Sequence, residues 1–227
     1  MAMAYRVVTF SIEGFVQQIA CSYLRHGYWF YVVGMVPEGK DPASVDAKLL
    51  AKYSIAVSEA TRLRRKRAGL ANLQLIRHER FFVILATKGS HPFFEAERER
   101  IRDIRETPIR YRGYAISYRR GGRTRTGEVD KKWHAHVAID RPVYLNLKAE
   151  LLETATHRRA SALALRFYHL PFERYAPVRR QLLMLLRRVN EARKRAGFEP
   201  VPKDVLCLRR RVVKPFAVEV DYSVRAE

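Results

Sequence analysis

Residues 28–36 read Tyr-Trp-Phe-Tyr-Val-Val-Gly-Met-Val. Aromatic and β-branched side chains suit a pleated surface, and a continuous apolar run offers no polar face to water. Such a segment reads as a strong strand, apolar enough to be central, and a chain that contains one builds a sheet and covers it. The flanking segments supply the cover. Residues 13–25 form a helix with Phe15, Ile19 and Tyr23 on one face. After the turn at 37–42, Asp41 or Ser44 caps a helix to about Tyr53 with Val45, Leu49 and Leu50 inward. A helix over 57–68 ends in the basic run Arg62 to Arg67, with Gly69 as its C-terminal cap.

Residues 72–77 and 80–87 read as two strands joined around His78-Glu79, and 93–105 as a charge-dense helix. Residues 111–119 and 132–140 pair as a second hairpin around the basic, glycine-rich loop 119–127. Beyond Asp140, apolar residues recur at three- and four-residue spacing over 142–156, 158–168 and 177–196, which predicts three helices. Residues 205–220 read as a last strand. The order predicts an α+β fold, an antiparallel sheet of ferredoxin-like type with packed helices and a helical C-terminal part. Residues 1–140 form the sheet core, and 141–227 a helical extension with a final strand, compact with that core.

Charge narrows the partners. The 227 residues carry 44 Lys and Arg against 23 Asp and Glu, a formal +21, while a hydrophobic content of 48% excludes wholesale disorder. A globule with that field repels itself unless a polyanion screens it. Most of the excess is arginine, suited to bidentate phosphate contacts and to stacking on bases, so nucleic acid is the expected partner. Single-stranded DNA is favoured, with RNA the other possibility. An anionic membrane surface is the weaker alternative, and no apolar run is long enough to cross a bilayer. Two cysteines, Cys21 and Cys207, and the absence of a signal-peptide pattern at the start lead to an expected cytoplasmic location with both cysteines as core thiols.

The cationic candidates for strand contact are Arg62, Arg64, Arg65, Lys66 and Arg67, the loop residues Arg119, Arg120, Arg123 and Arg125, and Lys131 with Lys132. Arg187-Arg188, Arg193 to Arg195 and Arg209 to Arg211 are further clusters. Any one of them reads equally as a helix end with dipole-matched cations, but together they exceed what solubility requires. Tyr111, Tyr114, Tyr118 and Trp133 are placed to stack on unpaired bases near the arginine loop.

Trp133 opens the stretch Trp-His-Ala-His-Val-Ala-Ile, whose alternation predicts a strand with His134 and His136 on one face. Two imidazoles side by side are half of a metal site, or merely half-exposed, hydrogen-bonded histidines. Candidates for a third ligand are His91, Glu95, Glu97, Glu128 and Asp130. His78 is assigned to a turn and His157 to a helix junction. Three tyrosines follow the pair: Tyr144, four residues before Lys148; Tyr175, four before Arg179; and Tyr168, beside His169.

This constellation resembles the HUH endonucleases, on His134-Ala135-His136 and on the upstream hydrophobic strand 80–87. The resemblance implies a divalent cation, Mg²⁺ or Mn²⁺, held by His134, His136 and a third side chain. It also implies a tyrosine nucleophile, Tyr175, Tyr168 or Tyr144, that forms a phosphotyrosine with single-stranded DNA in replication initiation, mobilisation or transposition. A metal acting as Lewis acid and a phenolate stabilised by nearby cations suit that chemistry. Two other readings stand beside it. One is a non-catalytic DNA- or RNA-binding protein. The other is a metal-independent ferredoxin-like RNA-processing nuclease using His26 and Tyr28 in acid–base roles.

Overall fold

In the computed structural model, residues 5–121, 126–128 and 131–217 are described. The fold is α+β. In chain order it comprises strand β1 (Val8–Thr9), helix α1 (Ile12–Gln17), a π turn (Gln18–Tyr23), a 3₁₀ turn (Leu24–His26) and strand β2 (Tyr28–Met35). Helices α2 (Pro42–Lys52) and α3 (Glu59–Arg67), strands β3 (Leu73–His78) and β4 (Phe81–Thr87), and the short helix α4 (Pro92–Ala96) follow. Strands β5 (Arg102–Asp103), β6 (Ile109–Tyr111), β7 (Tyr114–Arg120) and β8 (Trp133–Ile139) precede helices α5 (Arg141–Thr154), α6 (Ala160–Tyr168) and α7 (Ala176–Arg195) and a 3₁₀ turn (Lys203–Leu206). One sheet has the order β1-β3-β4-β2-β5 and the other β6-β7-β8. The chain divides into two compact units, Met1–Pro108 with Ser117–Ala135 and Val213–Glu227, and Ile109–Ile116 with His136–Val212.

In the first unit the apolar run over 28–36 behaves as its composition dictates. β2 lies inside the sheet, antiparallel to β4 along its whole length and to β5 at Phe30 and Tyr31. Because β4 is antiparallel to both β2 and β3, those two strands run parallel with β4 between them. Gly34 sits opposite Phe82, and a Cβ there would come within 2.3 Å of the Phe82 ring, so any larger residue would have to displace that ring. The core beneath holds Val32, Tyr53, Ile55, Leu73, Leu75, Ile84 and Phe93, with Leu49 and Leu50 of α2 packed against it.

One charged pair is sealed into this unit. Asp46 on α2 and Arg77 on β3 are both buried, and Arg77 Nε and Nη2 donate to the Asp46 carboxylate at 2.7–2.9 Å. The Asp41 carboxylate caps α2 by accepting from the Ala43 and Ser44 N–H groups. Ser58 does the same for α3, accepting from Thr61 N–H.

Two segments depart from expectation. The helix over 93–105 stops at Ala96. β2 would otherwise leave backbone groups open along one edge, and Arg102–Asp103 pairs with Phe30 and Tyr31 instead of extending the helix. Ile104 N–H then donates to the Trp29 carbonyl, and its side chain is fully buried. The strand over 205–220 is also absent among the described residues, which end at 217. Cys207 takes a left-handed φ of 42°, and the backbone beyond it bonds to side chains: Arg211 N–H to Glu173 Oε2, and Val213 to the Gln17 amide. Cys21 and Cys207 are exposed thiols rather than core ones.

In the second unit, β6 and the start of β7 form a tight hairpin, and α5, α6 and α7 fall close to the predicted helices. Gln181 on α7 uses its amide to extend the sheet, accepting from Ile139 N–H at 2.8 Å and donating to Ile139 O at 2.9 Å. Two buried arginines tie loops to helices. Arg193 donates to the carbonyls of Ala155, Arg158 and Glu199, and Arg174 to those of Leu170, Phe172 and Leu206. Among the described residues no helix is long and apolar enough to cross a membrane.

Candidate nucleic-acid interface

The most organised surface feature of the first unit is a row of three aromatic rings drawn from three strands. Trp29 of β2 stacks on Tyr118 of β7, with centroids 6.0 Å apart and planes 24° from parallel. Tyr118 in turn stacks on Trp133 of β8 at 5.7 Å and 17°. Near-parallel stacking of three rings is an offset π arrangement, and its outer member, Trp133, is 39% exposed.

Local structure aims each ring. In the β2–β4 ladder, Tyr28 pairs with Thr87 and Phe30 with Ala86, so Trp29 is the extra residue of a β-bulge. A bulge breaks the alternation of its strand and re-aims the side chain it carries. The Trp29 indole N–H is anchored by donating to the Leu24 carbonyl at 3.3 Å, and Tyr118 N–H donates to the Ile104 carbonyl.

Cations flank the row. The Arg105 guanidinium lies 4.8 Å from the Trp29 centroid and 5.9 Å from that of Trp133, while Arg120 lies 6.0 Å from Trp133. Asp103 fixes Arg105 with a two-pronged carboxylate contact at 2.5–3.0 Å and accepts its backbone N–H as well. Burial pushes the Asp103 carboxyl up, and the Arg105 hydrogen bonds and charge more than offset this, leaving it below the usual carboxylate value. The same pairing raises the Arg105 guanidinium and keeps it charged.

The expected cationic residues divide into two kinds. Arg64, Lys66 and Arg67 on α3, Arg119 and Arg120 on β7, and Lys131 with Lys132 before β8 are exposed. Arg62 and Arg65 are half-buried, and Arg65 donates to the Ser54 carbonyl at 3.2 Å. Arg123 and Arg125 lie outside the described residues. Arg193, counted among the C-terminal cationic clusters, is a buried structural residue. Tyr114 is likewise no stacking surface: it is 1% exposed, and its hydroxyl accepts from Glu173 N–H at 2.7 Å.

His134 and His136 occupy alternate positions of β8, exposed and half-buried respectively. No group of three His, Cys, Asp or Glu side chains among the described residues is arranged to hold a metal, and Asp130 lies outside them. His91 caps α4, its Nδ1 accepting from Phe93 N–H. Glu97 accepts from the Tyr53 hydroxyl and pairs with Lys52 and Arg100. Glu95 and Glu128 are exposed. His78 belongs to β3 rather than a turn, buried beside Phe15, and His157 bonds through Nδ1 to the Glu153 carbonyl.

The three tyrosines sit on the helices of the second unit. Tyr144 is half-buried in the first turns of α5, where burial raises its phenol and the Arg188 charge partly opposes this. Tyr168 ends α6, 55% exposed and edge-on to His169. Tyr175 is the N-terminal flank of α7 with Arg210 over its ring at 4.9 Å. Periodicity did not point to Trp29 or Arg105. The available signal was a tryptophan inside an unbroken apolar strand, where a bulge is one way to bring an indole N–H to a partner.

The chain matches no family model, and no curated protein or solved structure is significantly similar to it.

Proposed function

We propose that this protein binds single-stranded nucleic acid, DNA in preference to RNA, with unpaired bases stacking on the Trp29–Tyr118–Trp133 row and exposed arginines taking the phosphates. The observation that carries the reading is the half-open Trp133 face at the end of a three-ring stack bracketed by Arg105 and Arg120. A solvent-facing indole costs apolar exposure, and its quadrupole and flanking guanidinium suit the π-face that every base presents. Bases within a duplex are already stacked on each other, so the row favours unpaired strands. The formal +21 supplies long-range attraction to the backbone. Fluorescence anisotropy with labelled DNA and RNA oligonucleotides tests this. Binding of single strands over duplex, weakened by Trp133→Ala, is expected; equal binding of duplex, or no effect of the substitution, overturns it.

A second reading is single-strand cleavage, favoured by the placement of His134 and His136 two residues apart on β8. A divalent ion such as Mg²⁺ or Mn²⁺ bound there would offset phosphate charge. A covalent protein–DNA adduct on a denaturing gel, formed with either metal, lost in His134→Ala and assigned with Tyr144→Phe, Tyr168→Phe and Tyr175→Phe, is its signature. Binding without product under either metal leaves the non-catalytic reading.

A further inference from the structure

Away from the aromatic row, the first unit contains a cleft of about 660 Å³ between the π turn, α3 and the sheet, walled by Tyr23, Tyr28, Leu63, Asn72 and Gln74. A second cleft of the same volume shares its Gln18, Tyr23, Arg62 and Gln74 wall and extends toward Tyr5 and Arg6. Most polar groups here satisfy one another. Tyr5 Oη donates to Gln74 Oε1 at 2.5 Å, Gln74 Nε2 donates to Tyr28 Oη at 3.2 Å, and Asn72 Nδ2 donates to the Arg62 carbonyl at 2.9 Å.

Two atoms are left over. Arg62 Nη1 and Asn72 Oδ1 are buried and have no hydrogen-bond partner. Asn72 is itself 95% removed from solvent, at 5% exposure. A buried charged donor and a buried amide acceptor are both expensive to leave empty-handed, and both side chains line this cleft, where a ligand that brings an acceptor and a donor together would satisfy them. The Watson–Crick edge of a nucleobase presents that pair of groups side by side. Leu63, 51% exposed on the cleft wall, offers an apolar surface for the flat of a ring. Lys66 and His26 stand on the lining for an attached phosphate, with Glu59 the one opposing charge there.

The phenols add no negative charge. Burial pushes Tyr23 up to about 12 and raises Tyr5 and Tyr28 too, so all three stay neutral at physiological pH.

We propose that this cleft holds one nucleotide turned out of its stack, its base edge meeting Arg62 and Asn72 and its phosphate meeting Lys66. For a base of a bound strand the inference rests on the single-strand reading; a free nucleoside monophosphate has the same chemistry.

The test uses an oligonucleotide carrying one 2-aminopurine, whose fluorescence rises when the base leaves its stack, and 2-aminopurine nucleoside monophosphate as the free probe. Ala60→Trp fills the cleft from an exposed position on α3, and Arg62→Met removes the donor while keeping length. In the saturated wild-type complex a severalfold rise in fluorescence is expected. It should be lost in both variants, and for Ala60→Trp anisotropy should still report strand binding within about threefold of wild type. A rise that survives both variants, or none in a complex that anisotropy shows to be saturated, overturns the cleft and leaves the strand reading intact. If no strand binds at all, the free nucleotide decides. Binding abolished by Ala60→Trp upholds the cleft alone, and no binding rejects it.

Discussion

Trp133 stacks on Tyr118 at 5.7 Å and 17° while 39% of its own surface stays in water. A ring held from behind and open in front is rigid before any ligand arrives, so a base docking on it loses little additional side-chain freedom. Trp133→Ala is expected to weaken single-strand binding about tenfold or more, in line with the ~1–3 kcal/mol typical of one base–aromatic stack. Tyr118→Leu should weaken it less, because Tyr118 lies between two other rings. Anisotropy titrations on both variants check the order, and a larger loss for Tyr118→Leu would contradict it.

Exposed Arg64 and Arg67 lie in the last turn of α3. If both neutralise phosphates, the double variant Arg64→Gln, Arg67→Gln should flatten the log–log dependence of affinity on salt by about 1.4, at ~0.7 per phosphate on a single strand. An unchanged slope would place α3 off the strand's path.

The Asp46–Arg77 pair makes a stability prediction. Both side chains are about 9% exposed and face each other at 2.7 Å. Asp46→Ala leaves a guanidinium buried without its counter-ion and should destabilise by ~3–5 kcal/mol in urea unfolding. Joint replacement, Asp46→Leu with Arg77→Met, should recover much of that loss, since an apolar pair of similar volume does not pay the desolvation of two ions. A double variant as unstable as Asp46→Ala would show that the pair's geometry, not its charge, is what matters.

His91 gives the fold a pH signature. Its neutral Nδ1 caps α4, and burial, followed by the charge of Arg65, lowers its imidazole below the usual value. A lowered value means that the unfolded chain takes up the proton first. The contribution of the cap is therefore complete above the ordinary histidine range near ~6.5 and declines as pH falls through that range toward the native value. His91→Asn keeps an accepting cap that does not titrate. The stability of wild type relative to His91→Asn should fall on acidification, and His91→Ala should cost ~1 kcal/mol at alkaline pH. A wild-type-minus-Asn difference that is flat across the histidine range would refute this.

Much of the fold was legible in the chain. The run Tyr28 to Val36 read as a strand apolar enough to be central, and the apolar spacing beyond Asp140 marked three helices that the structure contains. Legibility failed where tertiary demands overrode local pattern. Residues 97–103 have a helical composition, yet the open edge of β2 recruits Arg102–Asp103 as a strand. The site was half visible. Tyr118 and Trp133 stood out because they flank a basic loop, whereas Trp29 reaches them only because a bulge shifts it out of register with β4. Tyr114 looked equivalent to Tyr118 in sequence, and burial against Phe172 separates their roles. No alternation rule distinguishes a tyrosine that closes a core from one that lies under a tryptophan.

Arg77, Arg174 and Arg193 are all less than a tenth exposed, and each spreads its guanidinium over several oxygens at once. The arginine bias of the chain therefore has two origins that one substitution scheme can separate. Exchanging the exposed arginines for lysine preserves every charge and should leave the molecule folded. The same charge-preserving exchange at these three positions puts a compact ammonium where a planar fork spans several oxygens, the Asp46 carboxylate and a carbonyl at Arg77 and separate carbonyls at Arg174 and Arg193, and some of those oxygens lose their donor. In the single-strand reading only the first group meets a ligand; the second is the protein's internal cross-bracing, written in the same amino acid.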